Sequence, residues 1–252
     1  MARSTEQRAV VSEIEFMETA KKIKYKVVEK IIEAPGVATL LFAANPHLPE
    51  YCPGQFIDIY FPDASLGQGK SYSISGAPSE NKFCITVRAI GEFSNRLFDM
   101  KIGGSVMGSE PYGFFWSDLP DTHLVMLAAG IGICPFRSMI AESLARNPNR
   151  KITLLYSNRT EEDMVFRKEL DDWQERYPSF KAVYFLTREE NIINGNVRGR
   201  ITAEKVLSEI PGIKNTEFMI SGSIAFVRDM RLGLKKFGVP EETIYTEAFF
   251  SH

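Results

Sequence analysis

An unbroken apolar run, Leu124–Ala129, leads straight into Gly130-Ile131-Gly132-Ile133-Cys134-Pro135, and Phe136, Met139, Ile140 and Leu144 then follow at helical spacing. That junction constrains the fold more than any other feature. A strand that is apolar at every position is buried on both faces, as in a parallel sheet covered by helices. Glycine permits the tight turn and a close ligand approach, and Pro135 suits the first position of the helix. The free amides and the dipole of such a helix start favour an anion. A nucleotide pyrophosphate would satisfy them. An ordinary strand-to-helix turn that needs small residues reads the same way, because a single G-x-G is weakly diagnostic.

The second half of the chain repeats this texture. Strands at Ile152–Tyr156, Ala182–Leu186 and Phe218–Ile220 alternate with helical segments. Thr160-Glu-Glu-Asp163 predicts a helix start ahead of Phe166, Leu170 and Trp173. Thr202 predicts the cap of a short helix through Val206, Leu207 and Ile210, and Val227, Met230 and Leu234 mark another, ended by Gly238 and Pro240. Strand and helix in alternation predict a doubly wound α/β sheet.

The first half is β in character. Val27-Val28 and Ile31-Ile32 stop at the turn Ala34-Pro35-Gly36, Val37–Ala43 is a second strand, and Gln55–Phe61 and Phe83–Arg88 alternate apolar with polar residues. Short strands between Pro/Gly turns predict an antiparallel barrel or sandwich. The expected architecture has two domains: residues 1–24 as a lead of uncertain structure, 25–118 as the β-barrel and 119–252 as the α/β unit.

A formal net charge of −2 argues against broad binding to nucleic acid or to a membrane surface. No apolar run spans a bilayer and the N-terminal residues lack a signal-peptide core, so no membrane insertion and a cytoplasmic location are expected. Cys52, Cys84 and Cys134 form neither a disulfide framework nor a Cys-x-x-Cys metal site, and the three histidines are scattered, so no metal is expected. The basic run Lys21, Lys22, Lys24, Lys26 reads as a solvated strand entry, or as an attraction for an acidic partner.

Two stretches of the β half carry chemistry. Gly69-Lys-Ser-Tyr-Ser-Ile-Ser-Gly76 combines a cation, a ring and hydroxyls; alternation puts Lys70 and Tyr72 on one face and Ser71 and Ser73 on the other. In Arg88-Ala-Ile-Gly91-Glu-Phe93-Ser94-Asn95, Ser94 is a candidate N-cap of a short helix whose start could hold a phosphate. A polar edge strand and a capped connecting helix are the plainer readings.

Taken in order, Lys70, Tyr72 and Ser73; Gly91 and Ser94; Pro111, Gly113 and Phe115; Gly130, Gly132 and Pro135; Ser221-Gly222-Ser223; and Glu247-Ala248-Phe249 resemble the ferredoxin–NAD(P)+ reductase family of flavoproteins, over the chain from about Lys24 to its end. The resemblance implies an FAD-binding antiparallel β-barrel followed by a doubly wound NAD(P)-binding domain. It implies a cofactor-binding set of Lys70, Ser71, Tyr72, Ser73, Arg88, Gly91, Phe93, Ser94, Asn95, Gly130, Ile131, Gly132, Pro135, Thr187, Arg188, Arg200, Gly222 and Phe249, and catalytic roles for Ser73, Ser221, Glu247 and Phe249. By position, Tyr72 would pack on the isoalloxazine, Ser73 would sit near flavin N5, and Lys70 with the Gly91–Ser94 turn would hold the flavin pyrophosphate. The Gly130–Pro135 loop would hold the pyrophosphate of NADPH or NADH, Ser221 would lie beside the nicotinamide, Glu247 near the hydride-transfer site, and Phe249 over the flavin face.

The sequence departs from the family pattern at several points. Lys70 stands for the usual Arg, which loses a bidentate hold on phosphate that Arg96 could supply; Ser221 stands for the usual Cys, Ser223 for Pro, and Glu110 for Gly. Phe250, Ser251 and His252 extend past the terminal aromatic. Tyr156-Ser-Asn-Arg159 offers no acid where an NAD site expects one, while the resemblance places Thr187-Arg188, with Arg200 nearby, where NADPH-using relatives hold the 2′-phosphate; surface salt bridging of both arginines, offset by Glu189-Glu190, is the plainer reading. The implied activity passes a hydride from NAD(P)H to FAD and then single electrons to a separate carrier, ferredoxin or flavodoxin. A flavin-bearing electron-transfer subunit of a larger complex, or an NAD(P)H:flavin reductase, fits the same residues.

Overall fold

The computed structural model describes residues 22–249, except 64–65, 67–68, 118–120 and 193–194. Most of the lead (1–21) and the residues after Phe249 lie outside the described ones.

Six antiparallel strands come first: β1 (Ile23–Ala34), β2 (Val37–Ala44), β3 (Phe56–Tyr60), β4 (Lys70–Ser73), β5 (Cys84–Arg88) and β6 (Ser105–Gly108). Their order is β4-β3-β6-β1-β2-β5, and a bridge between Ile74 and Ile85 joins the two ends, so the sheet closes as a barrel. Alternation works as expected: Ile57, Ile59 and Phe61 point inward with Tyr25, Leu40, Ile85 and Val87 to form the barrel core. Of the basic entry, Lys24 and Lys26 are in β1 and pair with Met107 and Ser105, Lys22 precedes the strand, and Lys21 lies outside the described residues. A short helix, α1 (Glu92–Phe98), follows β5 and seals one end of the barrel with Phe93 and Leu97.

The second sheet is wholly parallel in the order β10-β9-β8-β7-β11-β12. It comprises β7 (His123–Ala129), β8 (Ile152–Asn158), β9 (Phe180–Leu186), β10 (Val197–Arg198), β11 (Thr216–Ser223) and β12 (Ile244–Phe249). The apolar run is the central strand β7, fully enclosed as its composition requires. Leu124, Met126 and Ala128 face helices α2 (Ile133–Arg146) and α3 (Arg167–Arg176), while Val125 and Leu127 face α4 (Ala203–Ser208) and α5 (Ile224–Lys236). Thr202 caps α4 by accepting the Lys205 amide, as predicted.

Two local expectations are corrected. The helix after the glycine turn opens at Ile133, behind a 3-10 turn over Gly130–Gly132, so Pro135 is its third residue. Proline is tolerated there because the amides of the first turn have no intrahelical acceptor. Thr160–Asp163 does not start a helix: Thr160 bonds Asp163 in a turn, and α3 begins only after Phe166, which adopts the left-handed conformation at φ 61°. The C-terminal Glu247-Ala248-Phe249 lies in a strand, β12, and β6 and β10 are strands that periodicity does not reveal.

Candidate functional site

The order of the parallel sheet reverses between β7 and β11, and a sheet of this kind gathers ligands at the carboxyl ends of the strands beside that reversal. The Gly130–Gly132 turn leaves β7 there, and Ser221–Ser223 ends β11. The two are packed hard together. A Cβ on Gly132 would stand 2.4 Å from the Ser221 carbonyl oxygen and 2.8 Å from Gly222 Cα, so this glycine answers to strand packing. Gly130 differs: it is left-handed at φ 54° with open space on its side-chain side, where a ligand can lie against the backbone. The Ile133 amide turns back to the carbonyls of Gly130 and Ile131, and Pro135 has none, so an anion at this turn meets the amides ahead of them.

β12 lies beside β11 with Ser221 opposite Glu247 and Ser223 opposite Phe249. Opposed residues share a face, and here it is the face that carries α2 and looks at the barrel. Across the gap, Ser73 at the end of β4 donates its hydroxyl to Glu247 Oε1 at 2.8 Å. Ser73 is 5 % exposed and Ser221 is fully buried, with no hydrogen-bond partner for its Oγ among the described residues. Burial drives the Glu247 carboxyl up to about 7, against the lowering effect of the Ser73 hydrogen bond. Thus three of the four expected catalytic residues converge, and the half-buried Phe249 stands two positions further along the same strand face.

A buried hydroxyl without a partner is costly unless something else completes it. Ser221 therefore fits a site that receives a polar ligand edge, and the open flank of Gly130 fits a phosphate chain beside it. On the barrel side, Tyr72 packs over Phe93, with ring centroids 6.3 Å apart, and Phe93 is itself buried against Phe61. Phe93 thus supports Tyr72 from the core and has little surface of its own for a ligand. Lys70 is exposed and forms no ion pair with another described residue. Ser71 is turned to Asp58 at 2.6 Å, and Asp58 also receives Tyr112, so its hydroxyl is engaged within the protein.

The expected N-cap is shifted. Gly91 is the cap of α1 and Ser94 its third residue; Ser94 Oγ accepts the amides of Ile90 and Gly91 at 3.1 and 3.0 Å. That hydroxyl holds the turn in shape, and Asn95 spends its amide on Gly91. Arg96 is tied to Asp63 and lies over the Phe61 ring at 3.9 Å. Arg88 ends β5 half-buried, with no partner for its Nε among the described residues and its charge felt by Cys134 and Tyr156, so it reaches toward the glycine turn of the other sheet.

At the outer end of the parallel sheet, Thr187 bonds the Asn158 carbonyl through both its amide and its hydroxyl, and the Arg188 amide bonds Arg159. Gly199 bonds Leu186, which brings Arg200 to the same end. Arg159, Arg188 and Arg200 form no ion pair with other described residues, and of the two nearby acids Glu189 accepts the Glu161 amide. Among the described residues no cluster suited to a metal ion occurs, and no helix is long and apolar enough to cross a membrane.

Comparison with known proteins agrees with this arrangement. Residues 126–232 match the oxidoreductase NAD-binding domain family. The chain is 29 % identical over 231 residues to one of the subunits of 1,2-phenylacetyl-CoA epoxidase from Escherichia coli, covering 86 % of this chain and 65 % of that one. It is 28 % identical to flavohemoprotein A of Dictyostelium discoideum, covering 90 % of this chain and 60 % of that one. It therefore spans less than two thirds of the length of these relatives. Its fold is that of a ferredoxin NADP+ reductase from Neisseria gonorrhoeae with bound FAD and NADP, at TM-score 0.77 and 23 % identity, over 92 % of this chain and all of the other. The chain thus carries an oxidoreductase NAD-binding domain set behind a closed antiparallel barrel, and shares the fold of that FAD- and NADP-bound reductase.

Proposed function

We propose that this protein oxidises NADPH, and NADH less readily, through a bound FAD, and delivers the electrons singly to a separate acceptor. The meeting of Ser73, Ser221 and Glu247 carries the reading: it joins the barrel strand expected to hold the flavin to the sheet edge expected to hold the nicotinamide. Residues 25–118 are assigned to the flavin and 119–252 to the nicotinamide nucleotide. Bound FAD would supply the conversion of a two-electron hydride into single electrons. The protein supplies position and dryness. Tyr72, backed by Phe93, gives a flat wall for the isoalloxazine, and Lys70 gives a cation for the flavin phosphates. Arg88 lies where a second cation can reach the phosphates at the Gly130 turn. Ser221 Oγ offers its free hydrogen-bonding capacity to the nicotinamide edge, Glu247 holds a proton beside Ser73, and Phe249 shields the face until the nucleotide arrives.

The acceptor in this reading is a ferredoxin, a flavodoxin or an oxygenase component. The similarity to a component of an epoxidase supports a protein acceptor. The test is purification under anaerobic conditions. Yellow protein that releases FAD on denaturation, is bleached by NADPH, and then reduces a ferredoxin or flavodoxin is expected; colourless protein that cannot be reconstituted overturns the assignment. If free flavin is the sole competent acceptor, the protein is an NAD(P)H:flavin reductase.

Coenzyme preference has its own test. Arg188→Ala removes a charged contact of about 1.5–3 kcal/mol, so the KM for NADPH rises about 10- to 150-fold while that for NADH changes less than about twofold. Equal effects on both nucleotides would take Arg188 out of the 2′-phosphate site.

A further inference from the structure

Arg137 lies on α2, the helix that starts at the glycine turn, and is 6 % exposed. Its guanidinium grips two carboxylates at once. It donates to Glu169 of α3 from Nε at 2.9 Å and from Nη2 at 2.5 Å. It also donates to Glu80 from Nη2 at 2.8 Å and from Nη1, and Nη1 reaches the Ser75 carbonyl at 3.2 Å. Glu169 belongs to the same domain as Arg137; Glu80 and Ser75 belong to the barrel. Burial disfavours the charge on Arg137, and its hydrogen bonds to Glu80 and Glu169 outweigh that and lift its pKa. Two more residues of α2 hold the same barrel segment. Ser138 Oγ donates to the Gly76 carbonyl, and Glu142 Oε2 accepts the Ser79 amide at 2.8 Å.

The segment 75–80 begins two residues after Ser73. At its other end, α2 begins beside Gly132, which is seated against Ser221 and Gly222. One helix therefore connects the two half-sites: its start abuts the nicotinamide side and its second turn grips the continuation of the flavin strand. Beside the grip a cleft of about 460 Å³, lined by Glu33, Thr39, Lys82 and Phe166 among others, opens between the β1–β2 pair and α3, while Ala34, Val37 and Phe115 of the barrel share an apolar cluster with Phe136 and Met139 of α2.

We propose that Arg137 is a positioning residue for hydride transfer, setting the separation of the Ser73 and Ser221 half-sites through its bidentate hold on Glu80. The proposal rests on the flavin and nicotinamide assignment above. Transfer between stacked rings is sharply sensitive to spacing, and a displacement of about 1 Å can cost on the order of a hundredfold in rate. The planar fork matters because a lysine cannot hold two carboxylates in fixed directions.

Arg137→Met would leave two carboxylates without their counter-ion and compromise folding, so the test uses the acids. Glu80→Gln and Glu169→Gln each remove one charge from the same guanidinium, and only the first weakens the grip across the domains. The side-chain carbonyl introduced by Glu80→Gln can still accept the Ala77 amide that Glu80 accepts. In stopped-flow reduction by saturating NADPH, Glu80→Gln is expected to lower the limiting rate on the order of tenfold, with the half-saturating concentration within about twofold. Glu169→Gln stays within about twofold of the parent in both. Amide hydrogen exchange at residues 75–80, read on protein without nucleotide, rises in Glu80→Gln and not in Glu169→Gln. Equal rates in the two variants, or unchanged exchange in Glu80→Gln, overturn the proposal while parent protein that is reduced normally keeps the flavin reading intact. Parent protein that neither holds FAD nor is reduced by NADPH removes that reading, and this proposal with it.

Discussion

Glu247→Gln is expected to slow NADPH-driven reduction by about two orders of magnitude, the usual contribution of a placed acid–base group, and to flatten its pH profile. Glu247 holds its proton up to about pH 7 because burial opposes the charged form, and Ser73 is in hydrogen-bond contact with it. With the neutral acid as the competent form, the parent rate falls as pH rises through about 7, and Gln, which does not titrate, shows no step there. Stopped-flow reduction between about pH 5.5 and 8.5 reads this directly. An unchanged step in Glu247→Gln assigns the titration elsewhere.

The same shift has a consequence for stability. A carboxyl whose folded pKa lies above its unfolded value binds more protons in the folded state. Its contribution is therefore fully present below about 4.5 and is lost as pH rises through about 7, with a span of at most about 3 kcal/mol. Thermal unfolding of the flavin-free protein should show the parent losing stability relative to Glu247→Gln between about pH 5 and 8. Parallel curves would contradict the assignment.

The second large effect belongs to Gly132→Ala. The new methyl would meet the backbone of Ser221 and Gly222 at 2.4 to 2.8 Å, and backbone cannot swing aside as a side-chain tip can. Overpacking of this kind costs about 1–3 kcal/mol or more, and the displaced strand end is the one that carries Ser221. Loss of nucleotide binding together with a lowered Tm is expected. Gly130→Ala is the control: its methyl enters open space, and the cost is the left-handed backbone alone, about 1–2 kcal/mol. A smaller loss of stability in Gly132→Ala than in Gly130→Ala would show that the close approach at Gly132 is not what the glycine serves.

How much of this is legible in the sequence depends on whether a feature is local. The two textures, the strand β7 and the cap at Thr202 follow from periodicity and one hydrogen bond, and the structure has them. The order of the motifs is enough to bring Ser73, Ser221 and Glu247 together as expectations, although no spacing rule links them. Phe166 misleads because an aromatic residue is an unusual occupant of the left-handed region; the acids before it resemble a helix start, yet the chain turns once more before α3. Ser94 lies three residues inside the position its composition suggests, since Gly91 can cap without a side chain. β12 pairs with one neighbour only and alternates between half-buried and exposed, which leaves too weak a period to find. Arg137 carries a signal of a different kind: a cation between Phe136 and Met139, in a helix otherwise buried, needs counter-charges from somewhere, and here they arrive from two separate segments that no local pattern identifies.

The hydrogen bond from Ser73 to Glu247 joins residues 174 positions apart. Closing a chain segment of that length costs entropy that only tertiary packing offsets, so this contact depends on the assembled tertiary structure. Occupancy of the site then reports on completion of the whole tertiary structure, more strictly than helix or strand content does. During mild denaturation, yellow colour is expected to fade before far-ultraviolet circular dichroism changes, which makes bound flavin a visible gauge of native assembly in any mutant series on this protein.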